Sequence, residues 1–286
     1  MTDGGRAREQ DAEAAAARRR EEAEVSGIGL DERRGRMLSV IKEREFVPVT
    51  ELSDRFGISE VTVRSDLAAL ASLGQIHRIR GGAIRRGVLG QERPFEESEA
   101  AYADEKRAIA RAAAELLSDG ESVIVDVGTT AVAAARAIAA RDDLKDVVVF
   151  TNGLKTALAL ESAIPRLSVV VSGGTLRPLQ HSLVEPMASR ILDGELSVAT
   201  VFLGCNGVHP DAGITNVNLP EAHVKQRMLK SAQRKVVLAD GSKIGRIALS
   251  QLCGVDEIDM LITGESASLA VVEALRERGC EVRVAG

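Results

Sequence analysis

Five short loops of small and polar residues occur in the last two thirds of the 286-residue sequence, each directly after a run rich in valine, isoleucine or leucine. Such loops offer hydrogen-bond donors and acceptors and let a ligand approach the backbone closely, so they suit a small polar molecule. They are Asp126 with Gly128-Thr129-Thr130, Thr151-Asn152-Gly153, Ser172-Gly173-Gly174-Thr175, Gly204-Cys205-Asn206-Gly207 and Asp240-Gly241-Ser242-Lys243.

The loop Gly128-Thr129-Thr130 also opens a predicted helix, whose free N–H groups and dipole favour an anion. We therefore predict a phosphate cradle at this loop. The loop matches neither the GxGxxG motif of dinucleotide sites nor the GxxxxGKS/T motif of nucleoside triphosphate sites, so we predict no cofactor.

Four charged residues near these loops have two interpretations each. Lys225 and Lys243 can give a phosphate cationic contacts, or they can be solvated surface side chains. Asp126 and Asp240 can accept hydrogen bonds from hydroxyl groups, or they can cap a helix or a turn. The sequence leaves both alternatives open.

A different chemistry is indicated in the first third of the chain, where the stretch QIHRIRGGAIRR contains four arginines and no acidic residue. Residues 27–90 carry 11 basic and 8 acidic side chains, a net charge of +3, although the whole chain has a net charge of -5. The arginines either form a solvated face or contact nucleic-acid phosphates, which give affinity but little sequence information.

Three short helices are predicted before these arginines. The first covers ERRGRMLSVIKERE, and Pro48 breaks it. Thr50 is predicted to cap a second helix that ends at Gly57, and Ser59 a third that ends at Gly74. Two short helices joined through a glycine-containing turn indicate a helix-turn-helix. The arginine-rich stretch then predicts a β-hairpin wing that turns at Gly81-Gly82.

The third helix has a predicted core face and a predicted outward face. Val63, Leu67 and Leu70 recur at helical spacing and should face the core. The opposite arc carries small and hydrogen-bonding side chains that can enter a major groove, although an ordinary amphipathic helix is the alternative. The predicted DNA contacts are Ser59, Val61, Thr62, Arg64 and Ser65 of this helix and Arg78, Arg80 and Arg85 of the wing.

The run VPVTELSDRFGISEVTVRSDLAALASLGQIHRIRGGAI resembles the N-terminal winged helix-turn-helix of the DeoR family of bacterial transcriptional regulators. Ser65 stands where the family usually has a second arginine, and Arg80 where it usually has histidine. Because Ser65 lies in the middle of the outward arc, we expect an operator sequence that differs from the family's common one. The matching motifs are FGIS, Thr62-Val63-Arg64, Asp66-Leu67, Leu73-Gly74 and Gly81-Gly82-Ala83.

From about Glu99 the sequence alternates helical patterns with valine-rich runs, one of the helices being predicted near LVEPMASRILDG. Runs without polar alternation are typical of parallel strands covered by helices on both faces, so we predict an open α/β sheet. Ligands of such sheets bind beyond the carboxyl ends of the strands, which is where the five loops fall. The predicted strands are SVIVD, VVVFT, LSVVV, VATVFLG, KVVLAD, DMLIT and EVRVA.

The motifs DVGTT, VVVFTNGL, VVSGGTL, VFLGCNGV, EAHVKQRM and LADGSKIG resemble the C-terminal effector domain of the same family, which is similar in fold to sugar-phosphate isomerases. The resemblance implies a phosphorylated sugar as effector. Val127 replaces the family's usual serine, and Glu185 its usual glycine, where an inward carboxylate would repel a phosphate. The implied contacts are Asp126, Thr129, Thr130, Asn152, Gly173, Gly174, Lys225, Asp240 and Lys243, to which the loops add Gly128 and Thr151.

Composition narrows the class of protein further. Aromatic residues make up only 2%, which argues against gripping single-stranded nucleic acid by base stacking. Because no apolar run or signal peptide is present, we predict a cytoplasmic protein without membrane contact. The three cysteines are odd in number and far apart, so we predict no disulfide. Cys205, His209 and His223 fit no standard zinc spacing, so we predict no metal.

The sequence thus predicts a DNA-binding regulator, a repressor of sugar or related carbon metabolism genes, whose operator affinity responds to a phosphorylated sugar. Dimers or tetramers are expected, because one groove-reading module makes few base contacts. One alternative is a sugar-phosphate isomerase with Asp126 or Asp240 as base, and a weaker one is a ligand-independent architectural DNA binder. The predicted parts are a disordered or frayed tail over 1–26, a DNA-binding domain over 30–87 and an effector domain over 99–286.

Overall fold

The computed structural model describes residues 29–44, 46–79, 81–85, 92–190, 192 and 196–286, with residues 79 and 85 as backbone only. The predicted tail over 1–26 lies outside the described residues. The chain divides between Val88 and Leu89 into two compact units. No helix within the described ranges is both long and apolar enough to span a membrane.

The N-terminal unit combines helices with a small antiparallel sheet, in which the wing strand β3 lies between β1 and β2. Its core contains the predicted Val63, Leu67 and Leu70 together with Met37 and Ile41, all buried. The described elements are α1 (Leu30–Glu43), β1 (Phe46–Pro48), α2 (Val49–Phe56), α3 (Glu60–Ser72), β2 (Ile76–Ile79) and β3 (Gly82–Arg85).

Two of the predicted helix ends are confirmed, and one is wrong. Gly57 ends α2 with a left-handed φ of 59°, and the Ser59 hydroxyl accepts a hydrogen bond of 3.2 Å from the Thr62 amide at the start of α3. Thr50 caps nothing, because α2 already begins at Val49, whose N–H donates to the Gly81 carbonyl at 2.8 Å. The wing therefore supplies an acceptor for the first amide of α2.

The wing turn is shorter than predicted. Ile79 pairs with Gly82, so Gly82 belongs to strand β3, and of the predicted pair only Gly81, with φ of 85°, lies in the turn. Gly82 also pairs with Pro48 of β1, and a Cβ there would overlap the Phe46 ring and the Val47 carbonyl oxygen. This glycine therefore allows the wing to pack closely against β1.

A buried carboxylate connects two helices of this unit. Asp66 on α3 accepts hydrogen bonds from Nε of Arg33 at 2.8 Å and from Nε of Arg34 at 2.9 Å, both on α1. The aspartate is almost fully buried, while the two arginines keep part of their surface in water. The orientation of α3 is thereby fixed from its buried side.

The C-terminal unit contains a seven-stranded parallel sheet in the order β15-β14-β12-β9-β4-β5-β6. Every strand predicted from the sequence is present in it, and the prediction of an open α/β sheet is confirmed. The strands are β4 (Ser122–Val125), β5 (Val147–Thr151), β6 (Leu167–Val171), β9 (Val198–Gly204), β12 (Ala232–Leu238), β14 (Met260–Gly264) and β15 (Glu281–Ala285).

Helices cover both faces of this sheet. Successive residues of one strand, such as Val123 and Ile124, belong to the cores on opposite faces, which explains the continuous apolar runs. Helices α5 and α6 pack on one face and α9 and α10 on the other. The helices of this unit are α4 (Phe95–Ala100), α5 (Ala103–Ala114), α6 (Thr129–Ala139), α7 (Leu154–Leu160), α8 (Met187–Arg190), α9 (Leu219–Lys230) and α10 (Leu269–Glu277).

Several small strands were not predicted. Within the described residues of the segment predicted as a helix near LVEPMASRILDG, the helix is α8 alone, and the first residues form part of β8, which pairs antiparallel with β7. A second small sheet has the order β10-β11-β13. These strands are β7 (Thr175–Arg177), β8 (Ser182–Val184), β10 (Gly207–His209), β11 (Gly213–Asn216) and β13 (Ser250–Cys253).

Candidate ligand site and DNA-binding surface

The structure brings the predicted ligand residues to one end of the large sheet. Asp126 follows β4 and Asn152 follows β5 at equivalent positions, since Ile124 pairs with Phe150 two residues earlier. The loops after β6, β9 and β12 are the next ones along the same edge. After β4 the chain adds β5 and β6 on one side of the sheet, and after β9 it adds β12, β14 and β15 on the other side. Ligands of open α/β sheets bind at such a reversal point.

A buried ion pair lies at this reversal point. The Lys225 ammonium on α9 contacts Asp126 Oδ2 and donates to the Gly204 carbonyl at 3.0 Å, while the Gly204 amide donates to the same carboxylate oxygen at 2.9 Å. Lys225 is only 3% exposed and Asp126 is fully buried. The alternative that Lys225 is a solvated surface lysine is therefore wrong.

In this ion pair, burial disfavours the charged form of each group, and the opposite charge of its partner favours it. Burial raises the pKa of Asp126, against the attraction of the Lys225 ammonium. Burial also disfavours the charged form of Lys225, but the carboxylates of Asp126 and Glu221 outweigh it and raise the lysine pKa. Lys225 therefore carries a positive charge at neutral pH inside the protein, where it interacts more strongly with an anion than it would in water.

Three of the predicted residues carry buried oxygens that have no hydrogen-bond partner among the described residues: Asp126 Oδ1, Thr130 Oγ1 and Asn152 Oδ1. Leaving such an atom unpaired costs about 1–3 kcal/mol, so native proteins seldom do so without a reason. The carboxylate and amide oxygens can only accept hydrogen bonds. Their natural partners are hydroxyl or amine donors of a ligand.

The glycines of the site have backbone conformations that other residues rarely adopt. Gly128 precedes α6 with φ of 96°, and no side chain caps the free N–H groups at this helix start. Gly174 has φ of 122°, and a Cβ there would overlap the Val184 carbonyl. The helix start predicted at Thr129 is confirmed, so its amides remain available to an anion.

Asp240 and Lys243, in the loop after β12, already have partners within the protein. The Asp240 carboxylate accepts from the amide of Ser242 at 3.2 Å and also from its hydroxyl, and the Lys243 ammonium lies 3.8 Å from its other oxygen. Asp240 thus caps its turn, as in the alternative left open by the sequence. Similarly, the Thr151 hydroxyl accepts from the Gly153 amide at 3.0 Å. Ligand contacts by these residues remain predictions.

The structure shows the surroundings of the two departures from the family pattern in the C-terminal unit, Val127 and Glu185. Val127 is buried. The Glu185 carboxylate pairs with the Arg227 guanidinium at 3.1 Å and accepts from the Ser189 hydroxyl, so its negative charge is compensated. We therefore expect little repulsion of a phosphate by Glu185.

A cavity of about 490 Å³ lies beside α5 and α6, and its walls include the predicted Thr129 together with Lys106, Arg107, Arg111 and Arg136. Lys106 is 4% exposed, and its ammonium donates to the carbonyls of Ser98 and, at 2.5 Å, of Ala101. Burial lowers its pKa, and it forms no ion pair within the described ranges. The signal in the sequence was a lysine on the apolar face of a predicted helix.

The outward face of α3 is exposed as predicted. Val61 is 72% exposed, Arg64 and Ser65 are exposed, and Thr62 is partly covered because its hydroxyl lies 2.9 Å from that of Ser59. Arg64 pairs with Glu60 one turn earlier, at 2.5 Å. Neighbouring pairs of this kind in water contribute little, so Arg64 can exchange its partner for another anion.

The wing arginines are described only in part. Arg78 on β2 is exposed, whereas Arg80 and the side chain of Arg85 lie outside the described residues.

The three cysteines are buried free thiols, and burial raises the pKa of Cys205 to about 11. Within the described part of the chain, no cluster of His, Cys, Asp or Glu is suited to hold a metal ion.

Family models match both units of the chain. The DeoR-like helix-turn-helix domain matches residues 33–86, and the DeoR C terminal sensor domain matches residues 101–265. The chain belongs to the DeoR family. The resemblance seen in the sequence is thereby confirmed, and the family is one of DNA-binding transcriptional regulators, not of enzymes.

Curated relatives agree with this assignment over nearly their whole length. The HTH-type transcriptional regulator GlpR of Haloferax volcanii is 33% identical over 251 residues, which cover 88% of this chain and 96% of that protein. The HTH-type transcriptional repressor CsqR of Escherichia coli is 29% identical over 250 residues, which cover 87% of this chain and 94% of that one.

Solved structures show weaker similarity. The sorbitol operon regulator SorC of Klebsiella pneumoniae is 12% identical with a TM-score of 0.37, over 85% of this chain and 97% of that one. Ribose 5-phosphate isomerase A of Methanocaldococcus jannaschii is 18% identical with a TM-score of 0.37, over 50% of this chain and 55% of that one. The family assignment rests on the sequence matches.

Proposed function

We propose that this DeoR-family regulator is a repressor of sugar or related carbon metabolism genes, and that a phosphorylated sugar bound in its sensor domain changes its affinity for an operator. The observation that carries the effector proposal is the set of three unpaired buried oxygens beside the Asp126–Lys225 ion pair. The relative CsqR is itself described as a repressor.

The site offers different chemistry to the two parts of such a ligand. The uncapped amides after Gly128, with Lys106 beside the same cavity, suit a phosphate. The unpaired oxygens of Asp126 and Asn152 suit sugar hydroxyls, which can donate hydrogen bonds to them. The cavity of about 490 Å³ adjoins this site at Thr129, and its lining does not include Asp126, Asn152 or Lys225.

The DNA proposal divides the N-terminal surface into two functions. Ser59, Val61, Thr62, Arg64 and Ser65, at the start of α3, would read base edges in a major groove. Arg78, with Arg80 and Arg85, would contact phosphates. A dimer or tetramer would place two such helices on two half-sites of an operator. Effector binding typically shifts such an affinity by about 1–3 kcal/mol, or roughly 5- to 150-fold.

A thermal-shift screen of the full chain against phosphorylated sugars tests the effector proposal, with the unphosphorylated sugars as controls. A ligand at 100 times its Kd should add about 2.7 kcal/mol of stability. Failure of every phosphorylated sugar to shift the transition would contradict the proposal.

Two threonine variants locate the binding. Thr130→Val removes an unpaired buried hydroxyl at the site, so we expect a folded protein whose response to the phosphorylated sugar is lost or reduced at least about tenfold. Thr263→Val is the matched control, because its hydroxyl is also buried and without a partner among the described residues but lies on β14, away from β4. An equal response in both variants would place the ligand elsewhere.

A further inference from the structure

The β7–β8 hairpin, residues 175–184, contacts the candidate ligand site directly. The Leu183 amide donates to the Asn152 carbonyl at 2.7 Å, and Asn152 Nδ2 donates back to the Leu183 carbonyl at 3.1 Å. The Leu154 amide donates to the His181 carbonyl at 3.0 Å. A ligand that engages Asn152 would therefore act on a residue that the hairpin holds through both its backbone and its side chain.

The same hairpin holds the first described residues of the C-terminal unit, 92–100, which we call the anchor segment. Arg177 makes two hydrogen bonds to the Glu92 carboxylate, one of 3.0 Å, and Gln180 Nε2 donates to the Arg93 carbonyl at 2.7 Å. His181 Nε2 lies 2.9 Å from Glu96 Oε1. The anchor segment is thus tied to the hairpin at three successive points.

Phe95 adds an apolar contact to these polar ones. Its ring is fully buried and lies edge-on to the His181 ring, with the centroids 5.6 Å apart. The Lys155 ammonium lies 4.3 Å from the centroid of the Phe95 ring and pairs with Glu96 at 2.9 Å. The position of the anchor segment therefore depends on the position of the hairpin.

A chain of charged side chains runs from the ligand site to the anchor segment. Lys225, which pairs with Asp126, lies one helical turn after Glu221 on α9. Glu221 is 5% exposed and accepts hydrogen bonds from Arg177 at 2.6 Å and from the Ser182 hydroxyl at 2.5 Å. Arg177 then holds Glu92. Each of these groups is bound to the next or lies one turn from it on the same helix.

This arrangement responds to charge because one guanidinium serves two carboxylates. Arg177 is shared by Glu92 and Glu221, and the Lys225 ammonium supplies the compensating charge near Glu221. An anion that attracts Lys225 would leave Glu221 less compensated, so Glu221 would compete more strongly for Arg177. Glu92 would then be held less tightly, because charges in a low-dielectric interior interact strongly.

We propose that the β7–β8 hairpin transmits occupancy of the ligand site to the anchor segment, with Arg177 as the positioning residue that connects the two. The anchor segment continues through residues 86–91 to the wing strand β3, so this is the part of the sensor domain nearest in sequence to the DNA-binding domain. The inference rests on the proposed function for its biological meaning.

Hydrogen exchange of the full chain without ligand tests the connection itself. Lys225→Met should raise exchange of anchor-segment amides such as that of Ser98 by about fivefold or more, and Arg177→Met should raise it further. In the double variant, Lys225→Met should add nothing to the effect of Arg177→Met, because the connection is already broken. Additive effects, or a Lys225→Met effect confined to α9 and β9, would overturn the proposal.

Two further variants make this result decisive. Arg283→Met removes an arginine that pairs with Glu115 at 2.7 Å, away from the hairpin, and should leave anchor-segment exchange unchanged. Glu92→Gln perturbs the opposite end without removing a ligand-site residue. Because coupling is reciprocal, it should change exchange of the Gly204 amide, which donates to Asp126. No change at Gly204 would overturn the proposal even if Lys225→Met fails to fold.

A final comparison uses glucose 6-phosphate, fructose 1-phosphate and ribose 5-phosphate with a DNA duplex selected in vitro for binding. For any of these sugars that shifts the thermal transition, the Arg177→Met variant should show the same shift. The change in DNA affinity that the sugar causes should be at least about fivefold smaller in the variant than in the wild type. An unchanged DNA response in Arg177→Met would overturn the coupling. If none of the three binds, the effector proposal is contradicted for these sugars, while the exchange experiment still tests the connection.

Discussion

The outward face of α3 and the candidate ligand site place their polar side chains in opposite surroundings. Val61, Arg64 and Ser65 are exposed, so water can reach the polar groups among them. Asp126 and Lys225 are buried, and each depends on the other for a partner of opposite charge. A substitution on the outward face of α3 should therefore change binding alone, whereas one in the ligand site should change both binding and the free energy of unfolding.

The largest effect is expected from Asp126→Ala, because it leaves the Lys225 ammonium buried without its carboxylate. Breaking such a pair costs about 3–5 kcal/mol. Urea denaturation that follows the unfolding of the C-terminal unit measures this cost. A loss below about 1 kcal/mol would mean that the pair is hydrated and that the comparison above is wrong.

Asp66→Ala should have the next largest effect. It tests whether burial of the carboxylate decides the loss in the free energy of unfolding, whichever unit the carboxylate belongs to. Asp66 is buried, but its partners Arg33 and Arg34 can be rehydrated, so we expect a loss of about 1.5–3 kcal/mol, as for a hydrogen bond to a charged group. Denaturation of the N-terminal unit measures it. Asp54→Ala, on the exposed side of α2, is the control and should be nearly neutral.

Ser65→Ala should separate binding from stability. We expect the free energy of unfolding to change by less than about 0.5 kcal/mol, as for most surface substitutions. Affinity for the selected operator should fall by up to about 1–3 kcal/mol while affinity for random duplex stays the same, because base contacts carry the sequence information. An equal loss on both duplexes would show that Ser65 does not read bases.

Arg78→Ala should show the complementary behaviour of a phosphate contact. Its affinities for operator and random duplex should fall together, and the slope of log K against log salt should flatten by about 0.9. Titrations at several salt concentrations measure that slope. A loss confined to the operator would assign the wing to base recognition instead.

The smallest effect concerns an exposed group of the sensor domain. Lys155 and then His181 lower the pKa of Glu96 from 4.5 to about 2. Because this pKa is depressed on folding, the stabilisation is present above pH 4.5 and is lost as the pH falls towards about 2. Glu96→Gln should remove this part of the pH dependence. An unchanged acid profile would show that the ion pairs of Glu96 contribute nothing measurable.

The regular elements were predictable because their signals are local. The large sheet follows from apolar runs that are buried on both faces, and the turn of the helix-turn-helix from Gly57 and Ser59. The start of α2 was not predictable, because its first amide bonds to Gly81, which is distant in the sequence. The β7–β8 hairpin was missed because its strands are only three residues long, which is too short to show a repeating apolar pattern.

The ligand site was predictable as a set of loops but not as a set of contacts. Residue type indicated that Asp126 and Asn152 lie at strand ends, and the order of the strands then brings them together. The pairing of Lys225 with Asp126 spans 99 residues of sequence. The roles of Arg177 and Glu221 depend on the hairpin, so no pattern within α9 or β7 alone could indicate them.

The attachment of Asp66 to Arg33 and Arg34 has a consequence for how such a regulator can change its target. Since α3 is held from its inner side, the outer residues Val61, Thr62, Arg64 and Ser65 are free to vary without loss of the fold. A duplicated gene could therefore acquire a new operator by a few substitutions on one helix. A library randomised at these outer positions should likewise yield mostly folded proteins with new DNA preferences.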